Sequence, residues 1–361
     1  VKVALVGQPN CGKSTLFNAV AGYRSLTSNF AGTTVEYTRG QARVDGAVVD
    51  LVDLPGLYSL TPTNPLEAIG RECLLSGDWD VIINVIDASQ LARSLELTLE
   101  LKDLQAPLVV CLNMMDEAAR KGIVIDSKAL SVALGVPVVE TIASRGQGIL
   151  DSFRAALALS RRARRIPPKP FIYAPEVEDT VVRLGQRLTS FATLDDDRDR
   201  GSAGIEPEQQ APGGTGPVAA RPSVIPSVAR NLVLGPSSRD QGEIPLPRLR
   251  DRNDIVVSTT TATALVESAT AFPPARFEAL QLAQSDPRTL AQLPTLQVAA
   301  AVSEAQGEIT RLLGQPADAA ISSARHAACL NLFERVARVT HPRRDWRERV
   351  DRLVMHPVWG Y

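Results

Sequence analysis

The chain is 361 residues long, 44% hydrophobic, and carries a formal net charge of −1. That is enough apolar material for one full core and a second, smaller one. The near-neutral charge argues against a general nucleic-acid binder, and no run of about eighteen apolar residues is present to cross a bilayer. Cys11, Cys73, Cys111 and Cys329, like His326, His341 and His356, show neither pairing nor metal-ligand spacing, which reads as a reduced, intracellular thiol pattern. With no initiator methionine and no signal peptide, the sequence is expected to be a trimmed fragment.

Val1–Val6 predicts a strand and Ser14–Ala21 a helix. Between them runs Gly7-Gln-Pro-Asn-Cys-Gly-Lys-Ser-Thr15, a complete phosphate-binding loop. Strand, glycine loop, helix is the order that turns the spacing into a site. Gly7 and Gly12 let successive backbone N–H groups, including those around Asn10, Cys11 and Thr15, curl around one phosphate chain. Lys13 supplies a cation for the β- and γ-phosphates, and Ser14 a hydroxyl for Mg²⁺. The polar stretch Thr27–Glu36 follows, with Thr33 and Thr34; Thr34 is placed to complete a Mg²⁺ shell. Gly40–Val44 and Val48–Asp53 predict a hairpin through Asp45-Gly46. It ends in Asp53-Leu-Pro-Gly56, where Asp53 can hold a Mg²⁺ water and the Gly56 N–H can meet a γ-phosphate.

A helix over Pro65–Leu75, a strand over Asp80–Asp87 and a helix over Leu91–Leu104 lead to the strand Leu108–Asn113. Asn113-Met114-Met115-Asp116 closes it. The Asp116 carboxylate would accept from guanine N1–H and the 2-amino group, whereas adenine presents a lone pair and no such amine. After a helix over Ser127–Leu134 and a strand over Val136–Glu140 comes Ile142-Ala143-Ser144, where the Ala143 N–H is expected to reach guanine O6. Gly148–Ala163 predicts a last helix. Singly, Asp-Leu-Pro-Gly is usually a turn and Asn-x-x-Asp usually a helix cap. Their shared order and spacing indicate a GTP site. Leu57 stands where a water-orienting glutamine would serve, so slow hydrolysis is expected unless another group contributes. Asn10 either caps the loop or helps hold a K⁺ beside the β–γ bridge.

Past residue 165, Ile166-Pro-Pro-Lys-Pro170 reads as a stiff linker reaching to 174. The run Arg161-Arg162-Ala163-Arg164-Arg165 before it reads as a solvated helix end favoured by the dipole, with contact to phospholipid or RNA as the alternative. Helices are predicted over Glu176–Phe191, Ala275–Gln284, Leu296–Leu313, Ala317–Val339 and Arg343–Met355. Residues 195–254 are rich in Pro, Gly, Ser and Arg and read as a disordered insertion. Arg343–Met355 is amphipathic, Arg-rich and followed by Trp359 and Tyr361, which suggests either a bundle helix or the cytoplasmic side of a membrane entry.

The stretches Gly7–Asn18, Asn29-Phe-Ala-Gly-Thr-Thr-Val-Glu36, Asp53–Leu60, Asn113–Asp116 and Asp351–Gly360 resemble the cytosolic N-terminal part of the ferrous iron transport protein B family. The resemblance is dense over 1–160, patchy over 275–361 and absent over the insertion. It implies an α/β, Ras-like P-loop GTPase domain (1–165), with a mostly parallel sheet and one antiparallel edge, and a helical domain (175–361) that slows GDP release. It further implies Thr34 as the switch threonine and Asn10 as a K⁺-associated asparagine. The expected partners are the family's own transmembrane Fe(II)-permease part, small accessory transport proteins and, as an open alternative, further copies of the chain. The expected setting is the cytoplasmic face of a bacterial inner membrane. A ribosome- or tRNA-associated GTPase, which shares the Pro-Asn loop, and a binding module without turnover are the competing readings.

Overall fold

The computed structural model describes residues 1–21, 26–29, 36–61, 65–77, 79–162, 169–202, 273–285 and 295–340. Most of the expected insertion, the threonines Thr33 and Thr34 and the expected helix at Arg343–Met355 lie outside them. The described residues gather into two compact units, residues 1–173 with 322–361 and residues 174–321.

The first unit is built on a seven-stranded sheet in the order β2 (Leu26–Asn29), β3 (Glu36–Val44), β4 (Ala47–Asp53), β1 (Lys2–Gly7), β5 (Val81–Asp87), β6 (Leu108–Asn113), β8 (Val138–Glu140). β4, β1, β5, β6 and β8 pair in parallel; β2–β3 and β3–β4 are antiparallel and form one edge. The central strands are apolar on both faces: Val3 to Val6 and Leu108 to Leu112 are all essentially buried. Such continuous runs are what a parallel sheet covered on both sides requires. The β3–β4 turn is Asp45-Gly46, both at positive φ (49° and 80°), the conformation of a two-residue hairpin loop. The expected sheet is thus found.

Helices α1 (Lys13–Ala21), α2 (Pro65–Leu75), α3 (Leu91–Asp103), α4 (Met115–Arg120), α5 (Ser127–Leu134) and α6 (Ile149–Arg162) join the strands. Leu16 and Phe17 of α1 and Ile149 and Phe153 of α6 are buried in one hydrophobic cluster with Val3, Leu5 and Val85 of the sheet. On α3, Thr98 Oγ1 donates to Asn84 Oδ1 (2.7 Å), so a polar side chain inside β5 is satisfied within the core. β1 is followed on one side by β3–β4 and later on the other by β5. The phosphate loop therefore leaves the sheet where the strand order reverses, the usual ligand crevice of such sheets.

The second unit packs α7 (Pro175–Ser202), α8 (Ala275–Ala283) and α9 (Leu296–Leu313) against one another. Val177, Val181, Leu184 and Leu188 give α7 its buried stripe, and Val298, Val302, Ala305 and Ile309 give α9 its own. Arg183–Glu308 and Arg187–Glu304 (both 2.6 Å) bridge α7 and α9 at the surface.

Three expectations change. α7 runs to Ser202 rather than stopping at Phe191, so the first residues of the expected insertion are helical; no Gly or Pro stands between Phe191 and Gly201 to end it. The predicted helix Ala317–Val339 is α10 (Ala317–Val336) followed by strand β9 (Ala337–Val339). β9 pairs antiparallel with β7 (Ile123–Ile125), a strand that sequence pattern did not reveal. The chain from Ser322 to Thr340 therefore belongs with the first unit, whereas the sequence reading assigned everything from 175 onward to a helical domain.

Candidate functional site

The phosphate loop is shaped by residues that only that path allows. Gly12 has φ +89°, and a Cβ there would lie 2.2 Å from Asn113 Nδ2. A Cβ on Gly7 would lie 2.3 Å from the Val85 carbonyl oxygen. Asn10 occupies the left-handed region at φ 64°, which asparagine tolerates better than most residues. The Leu16 N–H bonds the Gly12 carbonyl (3.0 Å) and starts α1, leaving the N–H groups of the first turn facing the loop's mouth. There Lys13 Nζ meets Asp53 Oδ1 at 2.5 Å, and Ser14 Oγ donates to Asp53 Oδ2 at 3.1 Å. Thr15 is exposed in the same turn. One cation, one hydroxyl and one carboxylate, carried by two separate segments, converge at a helix N-terminus. A hydroxyl beside a carboxylate is the hard-oxygen pairing that Mg²⁺ takes. Burial pushes the Cys11 thiol in the loop up to about 12, so it stays neutral and serves as packing. Asn10 is exposed and borders a cleft of about 280 Å³ that is also lined by Pro9, Tyr58, Asp87 and Arg93.

Asn113 is a bolt between three loops. Its Nδ2 donates to the Cys11 carbonyl (2.9 Å), while its Oδ1 accepts from the Ala143 N–H (3.0 Å) and from Thr141 Oγ1 (3.2 Å). Met114, at φ 61°, turns the chain into α4. Asp116 in its first turn accepts from the Glu117 N–H (3.0 Å) and lies 3.4 Å from Arg145 Nη2. Ile142 and Gln147 form a bridge around the short 3₁₀ turn Ala143–Arg145, which exposes Ser144. Ala143 is where the sequence placed it, but its N–H is already given to Asn113 rather than held free for a base oxygen. Thr141 was missed: a single hydroxyl one residue before a motif carries no signal in the sequence.

The described sheet, loop and helices match solved structures over nearly the whole chain. A GDP-bound S. thermophilus NFeoB mutant aligns with a TM-score of 0.66 at 22% identity, covering 94% of this chain and 100% of that one. The cytosolic domain of L. pneumophila FeoB aligns at 0.58 and 23%, again over 94% and 100%. Among curated proteins, the Fe(2+) transporter FeoB of Salmonella typhimurium is 49% identical over 151 residues, 41% of this chain and 20% of its own length. A Porphyromonas gingivalis fusion of Fe(2+) transport protein A with FeoB is 37% identical over 196 residues, 54% of this chain and 23% of its own. The chain thus spans about a fifth of the length of such relatives. The family model described as ferrous iron transport protein B matches residues 1–156. The ribosome-associated alternative is not favoured by any of these likenesses.

The segment after Asp53 is anchored in an unexpected way. Gly56 packs so tightly on the loop that a Cβ would lie 2.8 Å from Pro9 Cγ. Leu57 donates its N–H to the Gly7 carbonyl (3.0 Å), and its side chain is fully buried. A Cβ on Gly70 would meet Leu57 Cδ2 at 3.0 Å. The residue after Gly56 is therefore a core residue packed beside Gly70 of α2, which explains why a leucine stands there. Among the described residues no group of three or more His, Cys, Asp or Glu could hold a metal, and no helix is long and apolar enough to cross a membrane.

Proposed function

We propose that this chain binds GTP and hydrolyses it slowly to GDP and phosphate, as the cytosolic regulatory part of a bacterial Fe²⁺ transporter. The observation that carries the reading is the convergence of Lys13, Ser14 and Asp53 at the N-terminus of α1, with Asn113 tying that loop to the one bearing Ala143. In this reading Lys13 leaves Asp53 for the β- and γ-phosphates, and the N–H groups of Gly12 to Thr15 bind the phosphate chain. Asp116 accepts from the guanine edge, with Ile142, Ala143 and Ser144 beneath O6. Ser14, Asp53 and Thr34 are the residues that would hold Mg²⁺, which would neutralise negative charge on the phosphates. The Gly56 N–H meets the γ-phosphate. Because Leu57 is buried, no side chain at that position can align water, and Asn10, exposed at the mouth of the loop, would hold a K⁺ there instead.

The likenesses to Fe(2+) transporters, and the fusion to a transport protein A, support a membrane part and a small accessory protein as partners, at the cytoplasmic face of the inner membrane. GTP would draw in Thr34 with residues 27–38, and hydrolysis would release them. The effect would leave the chain through the arginine-rich residues 343–355. GTP hydrolysis in KCl against NaCl at equal ionic strength, with Asn10→Ala beside the wild type, tests the core of this. Stimulation by K⁺ that the variant loses is the expected result. No GTP turnover above buffer in either salt would refute the enzyme reading.

A further inference from the structure

Residues 53–61 are held at both ends, and the second anchor lies far away in sequence. At the near end, the Leu57 N–H is bonded to Gly7 and the Leu57 side chain sits in the core. At the far end, the Glu100 carboxylate of α3 gathers four donor contacts. Ser59 Oγ lies 2.9 and 3.0 Å from its two oxygens, the Leu60 N–H bonds Oε2, and Arg325 Nη1 of α10 pairs with Oε1. The Arg325 fork continues to the Tyr173 hydroxyl through Nε (3.2 Å) and Nη2 (3.0 Å), and that hydroxyl donates to Asp103 Oδ2 (3.2 Å). Glu100, Asp103, Tyr173 and Arg325 are all buried. Burial opposes the Arg325 charge, yet Glu100 and the Tyr173 oxygen hold its pKa above the ordinary arginine range.

Buried ion pairs of this kind add little net stability, but removing one partner strands the other in a medium that cannot solvate it. Glu100 without Arg325 would be an unpaired buried charge, and its turning toward water would release Ser59 and Leu60. Gly56, three residues before Ser59, has no side chain of its own to steer its N–H. Its position follows from its packing on Pro9 and from the two anchors. A nucleoside diphosphate offers that N–H nothing to bind; a triphosphate does.

We infer that Glu100 and Arg325 are positioning residues for recognition of the terminal phosphate, holding the Gly56 N–H where a nucleoside triphosphate, and not a diphosphate, can use it. The inference rests on the proposed GTP site and concerns its discrimination between the two nucleotides.

The test is the affinity of fluorescent GDP and of a fluorescent non-hydrolysable GTP analogue for the full chain, as wild type, Arg325→Ala, Arg325→Lys and Ser59→Ala. In Arg325→Ala the triphosphate analogue is expected to weaken about tenfold or more, the scale of one misplaced hydrogen bond, with GDP held within about twofold. Arg325→Lys, which keeps the charge, should restore part of the ratio. Ser59→Ala removes the hydroxyl that contacts both Glu100 oxygens and accepts from the Thr61 N–H (3.0 Å), without stranding a charge, and should lower the ratio by about threefold. A parallel loss for both nucleotides, or no change in the ratio, overturns the inference. Should Arg325→Ala fail to fold, Arg325→Lys and Ser59→Ala decide it on the same ratio. Wild-type protein that binds neither nucleotide overturns the underlying site instead, and is distinguished by that result alone.

Discussion

Asn113 and Asp116 are three positions apart and do different work. Asn113 spends its whole amide on the protein, satisfying the Cys11 carbonyl, the Ala143 N–H and the Thr141 hydroxyl at once. Asn113→Ala leaves a buried donor and a buried acceptor unpaired, so it should cost roughly 2–4 kcal/mol of stability and weaken every nucleotide alike. Asp116 is half-exposed and its Oδ1 has only a local N–H. Asp116→Asn should leave unfolding within about 0.5 kcal/mol of wild type while trading guanine for a base that accepts at C2, such as xanthine. Denaturant melts beside GDP and XDP titrations separate the two roles; a guanine preference unchanged in Asp116→Asn would remove it from the site. At this scale the motif residues were legible in advance, because each is defined by its chemistry and its neighbours in sequence. What was not legible was the division of labour, since Asn-x-x-Asp does not say which member faces inward.

At the scale of elements, the pairing of β7 with β9 returns the end of the described chain to the first unit. The Thr340 N–H bonds the Gly122 carbonyl (2.7 Å) and the Asp126 N–H bonds the Val336 carbonyl (2.8 Å). Antiparallel alternation then makes Val124 and Arg338 the pair that exchanges both bonds between them. Arg338→Pro removes one of those donors from an exposed strand without touching the core, and should cost about 1–3 kcal/mol. It should also speed amide exchange at residues 123–126. Exchange there that matches wild type would mean that β9 contributes nothing to holding the chain's exit. Neither strand could be read in advance: three residues are too few for a period of two to show, and α10 offers no Gly or Pro to mark its end.

For the whole molecule, three thiols buried in the first unit set an alkaline limit. Desolvation raises Cys11 and Cys329 from 9.0 to about 12, and Cys111 to about 11. A folded-state pKa above the unfolded one gives stability that is fully present below the unfolded value and is lost as pH rises through the folded one. Stability should therefore be flat to pH 9 and then fall toward pH 11–12, each thiol contributing a slope of about 1.4 kcal/mol per pH unit. Burial pushes the Tyr173 hydroxyl upward as well, with the same sign. Urea unfolding at pH 8 and above, with Cys329→Ala expected to show the shallower decline, checks this; a pH-independent midpoint in the wild type would contradict it.

The sequence by itself determined the residues of the proposed nucleotide site and the sheet that presents them. Gly7 to Thr15 sit next to one another in the chain, so their backbone path and chemistry are local properties, and strands such as Leu108–Asn113 announce themselves by unbroken apolar runs. The tertiary structure alone decided where the carboxylates and cations of the helices go. Glu96 and Glu100 lie one turn apart on α3 and look alike in sequence, yet Glu96 meets His326 at the surface while Glu100 is buried against Arg325. The sequence separation of 225 residues between Glu100 and Arg325 leaves no periodicity or motif to read. Only the docking of α10 on α3 removes water from that pair, and desolvation is what turns an ordinary helix charge into an anchor.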